Sequence, residues 1–261
     1  ETEIVKSSPF LWNTSLNMSF NKNKVLKLND GKDISKGTKI IREGWDINTW
    51  YMRKWAGVNP SDGNPLWEKV TTAEDGTKII EKTSKYSEAT LQNMDSSSPK
   101  FFGGFMNTFV YRQFKLDANF NFVYGNKIYH LLRESLDNDG AYPTYNAIKL
   151  PDGWSRWEKP GDIATHPRPV LLGNKLSNKP SSRYLEDGSY LRLNYLSLSY
   201  TLPVNWVHKV GLNRAELKLA GENLWTLTNF SGMDPEVGIQ GYGGTLYPVT
   251  RKYIFGVEVN F

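Results

Sequence analysis

The groups in this chain that could do chemistry are carboxylates, aromatic rings and three histidines, because the 261-residue sequence contains no cysteine. Two acidic turns, Asp137-Asn138-Asp139-Gly140 and Asp234-Pro235-Glu236, offer the hard oxygen ligands that Ca²⁺ prefers. Neither turn has the ligand spacing of an EF-hand loop. A plain turn is therefore the favoured interpretation of both segments, and no metal site is predicted.

The histidines and the remaining carboxylates predict no catalytic site. His130, His166 and His208 are far apart, without the short spacing typical of zinc ligands. Nothing in the sequence places two of its 27 acidic residues together for glycoside hydrolysis. Without cysteine there is no thiolate nucleophile. We therefore expect a protein that is not an enzyme and that needs no cofactor.

Aromatic side chains in two long, loop-like segments are the candidates for ligand contact. Their rings could stack on a sugar or a peptide. The alternative is that they pack inside the loops or anchor them at a membrane interface, and this alternative is favoured, most strongly for Trp55 beside a strand. The candidate residues are Trp45, Trp50, Trp67, Tyr142, Tyr145, Trp154 and Trp157.

Charge and hydropathy narrow the class of partner. The net charge of +5 comes from 32 basic and 27 acidic residues, which are spread along the chain without a basic block, so nucleic-acid binding is not expected. No apolar run is long enough for a transmembrane helix. The mean hydropathy of −0.53 still permits a transmembrane β-barrel, whose strands alternate between lipid-facing and lumen-facing residues.

The elements that would position these groups are strands. Residues 12–21 and 116–124 alternate between apolar and polar side chains, and 105–114 forms a hairpin with the second of them. In 189–202 the apolar phase slips by one residue, which predicts either a β-bulge near Tyr195 or two separate strand segments. Further strands are predicted at 215–227, at 253–261 and, more weakly, at 39–57, giving about seven strands and no useful amphipathic helix.

The last segment of the sequence indicates a membrane. Its apolar residues Tyr253, Phe255, Val257, Val259 and Phe261 share one face of a strand. This pattern is typical of the closing strand of an outer-membrane barrel, although the final strand of a soluble sandwich would look similar. We expect this strand to carry the barrel-insertion signal.

Connections between the predicted strands alternate in length. Residues 113–115 and 203–214 are short links, whereas 58–100, 130–188 and 229–249 are long. If Phe261 lies at the periplasm, the long loops are extracellular, the strand at Trp12 runs inward, and 21–38 is an unusually long periplasmic link. Glu1 to Ser8 would then lie in an extracellular loop. Seven strands cannot close a barrel, so further strands are expected upstream.

Several motifs together resemble the SusC/RagA family of TonB-linked outer-membrane proteins. They follow one another in the family's order over nearly the whole chain. They are WAGVNP at 55–60, GNPLW at 63–67, PKFFGGF at 99–105, KPGDIATHPR at 159–168, SRYLEDGSYLRL at 182–193, LSLSYTLP at 196–203, GENLWTLT at 221–228 and GMDPEV at 232–237.

The resemblance implies an all-β, antiparallel transmembrane barrel of about 22 strands in the bacterial outer membrane. Residues 1–261 would be its C-terminal part, without the N-terminal plug, the earlier strands or the segment that contacts the TonB complex. The family imports glycans or peptides with a SusD-like surface lipoprotein. The alternatives are a soluble carbohydrate-binding β-sandwich of a surface polysaccharide-utilisation system and a secreted β-rich hydrolase.

Overall fold

One antiparallel sheet of seven strands, which we call the wall sheet, organises the chain. The computed structural model describes residues 2–7, 9–146, 148–244 and 247–261. Each wall strand lies beside the wall strands that precede and follow it in sequence, as in an up-and-down meander. The wall strands are β1 (Thr2–Ser7), β2 (Phe10–Phe20), β3 (Phe101–Tyr111), β4 (Phe114–Tyr124), β5 (Tyr190–Thr201), β6 (Arg214–Thr228) and β7 (Lys252–Asn260).

Cross-strand register brings the predicted apolar rows onto one face of the wall sheet. Phe105 lies opposite both Leu16 and Phe120, and Leu219 lies opposite both Leu198 and Phe255. This apolar face includes Trp12, Leu16, Met18, Phe20, Phe101, Phe105, Phe109, Leu116, Phe120, Phe122, Tyr124, Leu191, Leu193, Leu196, Leu198, Tyr200, Leu217, Leu219, Trp225, Leu227, Tyr253, Phe255, Val257 and Val259.

Much of the apolar face is uncovered. Leu16 and Leu219 are each 60% exposed, and Phe20 and Phe255 are each 71% exposed. A soluble sandwich buries such a face against a second sheet. The exposed face is what the wall of a transmembrane barrel presents to lipid, so the sandwich alternative does not describe this chain.

The predicted bulge lies in β5. On the β4 side the register passes from Asn119–Tyr195 to Phe120–Leu193 and skips Asn194. The β6 side is shifted at the same place. The extra residue keeps Leu193 and Leu196 on the apolar face although their spacing in the sequence is three. The predicted hairpin is also confirmed, with Tyr111 paired to Phe114 and Arg112 at a positive φ of 52° in the turn.

One predicted strand is wrong, and its correction reverses the direction of another. Residues 39–57 do not join the wall sheet but form short strands in smaller sheets, interrupted by charged residues and by Gly44 at a φ of 84°. Strand β1, which we expected to be loop, supplies the seventh wall strand. Because β2 pairs directly with β3, β2 runs opposite to the predicted direction. Residues 21–38 then belong to a long loop rather than to a periplasmic link.

All three long connections therefore leave the same end of the wall sheet, which we call the loop end. They are residues 21–100, 125–189 and 229–251. Their strands form three smaller sheets: Ile34–Lys36, Lys39–Ile41, Thr49–Arg53 and Leu91–Ser96; Trp55–Val58, Pro65–Thr72 and Lys78–Thr83; and Lys127–His130, Leu185–Asp187 and Tyr242–Gly243. The last of these sheets joins the second long connection to the third.

Helical segments are few and short. The α-helices are Leu131–Leu136 and Val204–Val207, and the 3₁₀ turns are Asn29–Gly31, Tyr86–Glu88, Ser182–Tyr184 and His208–Val210. None of the helices in the described residues has the length and apolar character to cross a bilayer. The buried hydrophobic cluster of Trp50, Met52, Tyr129 and Tyr184 lies in the long connections, so the loop end has a core of its own.

Candidate functional site

The second face of the wall sheet is mainly polar. Asp117 accepts a hydrogen bond from Thr108 at 2.7 Å and pairs with Lys115 at 3.0 Å. An open cavity of about 450 Å³ on this face is lined by Asn119, Tyr195 and Lys218 together with Asp117. A polar, side-chain-lined surface of this kind suits a water-filled lumen.

A buried carboxylate ties the second long connection together. The Asp139 carboxylate pairs with Arg183 at 2.6 Å and with Arg156 at 3.0 Å, and the Ser177 hydroxyl donates to it at 2.7 Å. The Asp139 side chain is fully buried. Because an ionised carboxylate in such a place needs compensating charge, the two guanidiniums explain how it is tolerated.

Asp137 forms the centre of a second buried group. Arg133 contacts the Asp137 carboxylate at 2.8 Å and bridges to Glu186, also at 2.8 Å. His166 lies 3.4 Å from the same carboxylate. Burial alone would raise the pKa of Asp137, but the close contact with His166 and the charges of Arg133 and Arg183 hold that pKa below its usual value.

The other acidic turn is also bound by an arginine. Arg192, on the polar face of β5, contacts Asp234 at 2.6 Å and Glu236 at 2.7 Å. Its Nε donates to Thr226 on the neighbouring strand at 3.1 Å. This arginine therefore fastens the third long connection to the wall sheet. Both acidic turns that could have offered oxygen ligands to calcium are engaged by guanidiniums, as structural turns would be.

Three of the candidate ligand-contacting aromatics are buried. Trp50 and Trp67 are 0% exposed. The Trp50 indole donates to the Lys127 carbonyl at 3.1 Å, and Trp157 donates to the Pro60 carbonyl at 2.9 Å. These rings hold the loops together, and they present no free face for stacking on a ligand.

A buried lysine accompanies one of these rings. The Lys39 ammonium lies 4.2 Å from the centre of the Trp50 ring and donates to the Ser97 hydroxyl at 2.7 Å. Burial lowers the pKa of Lys39 to about 8. Sequence analysis missed this residue, since a lysine in a charged segment gives no sign of its burial.

The other four candidates are more accessible. Tyr142 and Tyr145 are 40% and 56% exposed, and their ring centres lie 5.0 Å apart. They line a cavity of about 240 Å³ together with Asn138 and Arg156. Trp154, which is partly buried, lies beneath the Arg133 guanidinium at 4.3 Å. The structure therefore brings the two tyrosines together beside the buried ion pairs.

Trp45 belongs to a different group. The Arg42 guanidinium lies 4.4 Å from the centre of its ring, and Tyr51 packs edge-on at 6.2 Å. Trp45 is partly buried and lies in the first long connection. The seven candidate aromatics therefore do not form one site.

Sequence analysis also missed the arginines that organise the loop end. Arg183 and Arg192 were visible only as parts of longer motifs. Their acidic partners are 44 and 42 residues away in sequence. Arg192 alternates with Leu191 and Leu193 as an ordinary polar-face residue does, so the sequence gives no sign of its partners.

Comparison with curated proteins identifies relatives along the whole chain, although no family model matches the sequence. TonB-dependent receptor P3 of Formosa agariphila is 28% identical over 98% of this chain and 27% of the receptor. TonB-dependent receptor P26 of the same organism is 28% identical over 100% of this chain and 28% of the receptor. TonB-dependent receptor SusC of Bacteroides thetaiotaomicron is 21% identical over 98% and 25%, respectively.

Solved structures agree with this comparison. The RagAB peptide transporter matches with a TM-score of 0.83 and 27% identity, over 99% of this chain and 28% of that chain. The RagAB peptide importer in its open-open state matches with a TM-score of 0.80 and 26% identity.

This chain thus spans little more than a quarter of the length of the relatives that it matches. Those relatives are TonB-dependent receptors and a peptide transporter. Three observations point to the same class of protein: the matches along nearly the whole of this chain, the all-β wall sheet and the order of the sequence motifs. Over almost its full length, the chain is therefore similar to TonB-dependent receptors of the SusC/RagA type, which are proteins of the bacterial outer membrane.

Proposed function

We propose that this chain forms part of the wall and the outer loops of a TonB-dependent importer of glycans or peptides. The observation that carries the proposal is that one sheet has an exposed apolar face, a polar face, and all three long connections at one end. In this arrangement the apolar face contacts lipid, the polar face lines the lumen, and the loop end is extracellular.

The remaining strands belong to other parts of the same receptor. Within the described residues, both edge strands of the wall sheet, β1 and β7, have a neighbour on only one side. Unpaired backbone groups in lipid are costly, which supports further strands at both edges. Under this proposal residues 1–261 are the C-terminal part of the barrel, strand β7 carries the insertion signal, and an N-terminal plug contacts the TonB complex.

The partner at the loop end is a SusD-like surface lipoprotein. The three long connections have their own buried core around Trp50 and Tyr129. This core would stabilise the outer surface on which the lipoprotein docks. Tyr142 and Tyr145 are the aromatic pair best placed to meet cargo, because their rings are exposed beside a cavity.

Growth and co-purification of the full-length receptor test this function. A strain that lacks the receptor gene is grown on a panel of oligosaccharides and peptides, each as the sole nutrient. We expect a defect on at least one member, restored by the wild-type gene but not by a version without the TonB-contacting segment. The tagged receptor should co-purify a surface lipoprotein. Nutrient import would be rejected if the strain without the receptor gene grew as well as the wild type on every oligosaccharide and peptide, while the wild-type strain contained correctly assembled receptor.

A further inference from the structure

Three aromatic residues form a row at the loop end of the apolar face. Phe101 lies opposite Phe20 on one side and Tyr124 on the other. The ring centres of Phe20 and Phe101 are 5.9 Å apart, and those of Phe101 and Tyr124 are 4.8 Å apart. Aromatic rings at the edge of an apolar band mark the boundary between hydrocarbon and head groups. We call these residues the rim row.

An open groove lies beside the rim row. Its volume is about 470 Å³, and its lining includes Phe122, Leu191 and Leu227 along with Phe101 and Tyr124. Ser189, Thr228 and Asn229 add polar groups to the same lining. Because Leu191 and Leu227 are paired residues of the apolar face, the groove continues the surface that contacts lipid. Its chemistry suits an acyl chain that ends near polar groups.

A second cavity, of about 400 Å³, is lined in part by Lys100, the residue that precedes Phe101 of the groove. Its lining includes the exposed lysines Lys22, Lys24 and Lys100, together with Asp46 and Asp95. Asp46 is already engaged, since Oδ1 accepts hydrogen bonds from Ser96 at 2.9 Å and from Ser98 at 3.0 Å. Within the described part of the chain, none of the three lysines forms an ion pair. Their ammonium groups are thus available to an anion.

The linings of the two cavities include two consecutive residues, Lys100 and Phe101. The Lys100 amide donates to the Tyr124 carbonyl at 2.8 Å, which fixes this junction to the end of β4. The aliphatic stem of Lys100 lies over Gly125, where a side-chain carbon would come within 2.7 Å of it. The stem of Lys100 thus packs over Gly125, and the exposed side chain also contributes to the lining of the polar cavity.

We propose that this junction binds a phosphorylated lipid of the outer leaflet. An acyl chain occupies the groove, and a head-group phosphate is held by Lys22, Lys24 and Lys100. The groove is continuous with the lipid-facing surface, and the charge of the lysines complements a phosphate at the depth where head groups lie. The inference rests on the proposed placement of the wall sheet in the membrane.

Native mass spectrometry of the full-length receptor tests the inference. The receptor is stripped of lipid in detergent and titrated with diphosphoryl lipid A, with its dephosphorylated analogue and with inorganic phosphate. The charge variant is Lys22→Gln/Lys24→Gln/Lys100→Gln. Its matched control is Lys27→Gln/Lys32→Gln/Lys36→Gln, which removes the same charge from exposed lysines of the same connection. A groove variant, Leu227→Trp, is compared with Leu219→Trp farther along the apolar face.

We expect lipid A to bind the charge variant about a hundredfold more weakly than the wild type, given the attraction of each of the three lysines for an anionic head group. The groove variant should also lose affinity, whereas both controls should match the wild type. Equal binding of lipid A by all variants would overturn the proposal. So would a result in which the receptor binds inorganic phosphate but shows no preference for lipid A, and in which Leu227→Trp does not change the binding of phosphate. Absence of heat-modifiable mobility in the wild type would reject the membrane placement itself.

Discussion

The Arg183 guanidinium contacts both carboxylate oxygens of Asp139, at 2.6 Å and 3.4 Å, across 44 residues of sequence. Asp139 follows the helix Leu131–Leu136, near the start of the second long connection, and Arg183 lies in the turn Ser182–Tyr184 that precedes β5. This pair therefore joins the two ends of one loop. Since both side chains are almost completely buried, this ion pair stabilises the loop from within and is not a surface contact.

The first prediction is that Asp139→Asn loosens the second long connection. The substitution leaves Arg183 and Arg156 without their carboxylate, and breaking a buried ion pair costs about 3–5 kcal/mol. Hydrogen exchange of residues 125–189 in the full-length receptor should accelerate. The control Asp33→Asn breaks the exposed pair with Arg42 and should leave this region unchanged. Unaltered protection in Asp139→Asn would show that the pair is dispensable.

The second prediction concerns acid. The pKa of Asp137 is lowered below 3.8 in the folded chain, so its ionised form contributes stability at higher pH. That contribution is fully present above the unfolded pKa and is lost as the pH falls through the lower folded value. Proteolysis of the loop end by an acid-active protease should rise as the pH falls from 5 toward 3. The Asp137→Asn variant should be cut faster than the wild type at pH 5, and its rate of proteolysis should change less between pH 5 and pH 3. If the rate for the variant rose with acid as much as the rate for the wild type, the pH dependence would belong to other groups.

The wall sheet could be predicted from the sequence because its information is local. A period of two over residues 12–21 or 116–124 reports which side chains share a face, and the phase slip at Asn194 reports a bulge. The loop end could not be predicted in the same way. Its short strands, such as Thr49–Arg53, alternate like wall strands, and their pairing is decided by distant partners. Arg183 and Asp139 illustrate this, since neither residue indicates the other across the intervening sequence.

The third prediction uses the bulge. Asn194 is the extra residue that lets Leu193 and Leu196 share the apolar face at a spacing of three. Inserting one alanine between Leu196 and Ser197 shifts Leu198 and Tyr200 to the polar face and turns Ser197 and Ser199 toward lipid. The full-length receptor should then assemble poorly, measured as loss of the heat-modifiable form in outer-membrane fractions. Deleting Asn194 instead brings Leu193 and Leu196 to a spacing of two, keeps both on the apolar face and should assemble better than the insertion variant. Normal assembly of the insertion variant would mean that the register recovers elsewhere in β5.

The fourth prediction separates contact with cargo from packing among the aromatics. Tyr142 and Tyr145 are exposed and adjacent, so replacing both with alanine should weaken cargo binding about tenfold or more and leave thermal stability unchanged. Trp67→Ala should do the reverse. Its buried ring packs against Trp55 and Tyr86, and removing such a ring costs about 3–5 kcal/mol. Calorimetry and thermal unfolding of the full-length receptor measure both effects. Unchanged binding by the double-tyrosine variant would remove these residues from the cargo site.

The fifth prediction compares the two faces of β7 at adjacent positions. Val257 is 58% exposed on the apolar face, in the middle of the strand. A lysine on the lipid face near the bilayer midplane costs about 2–4 kcal/mol, so Val257→Lys should lower the yield of assembled receptor. Glu258 is on the polar face, directly opposite Glu216. Glu258→Lys replaces a like-charge pair with an opposite-charge pair and should assemble at least as well as the wild type. If both variants assembled equally well, the assignment of the apolar face to lipid would be wrong. Only that assignment predicts that a lysine at position 257 costs more than a lysine at position 258.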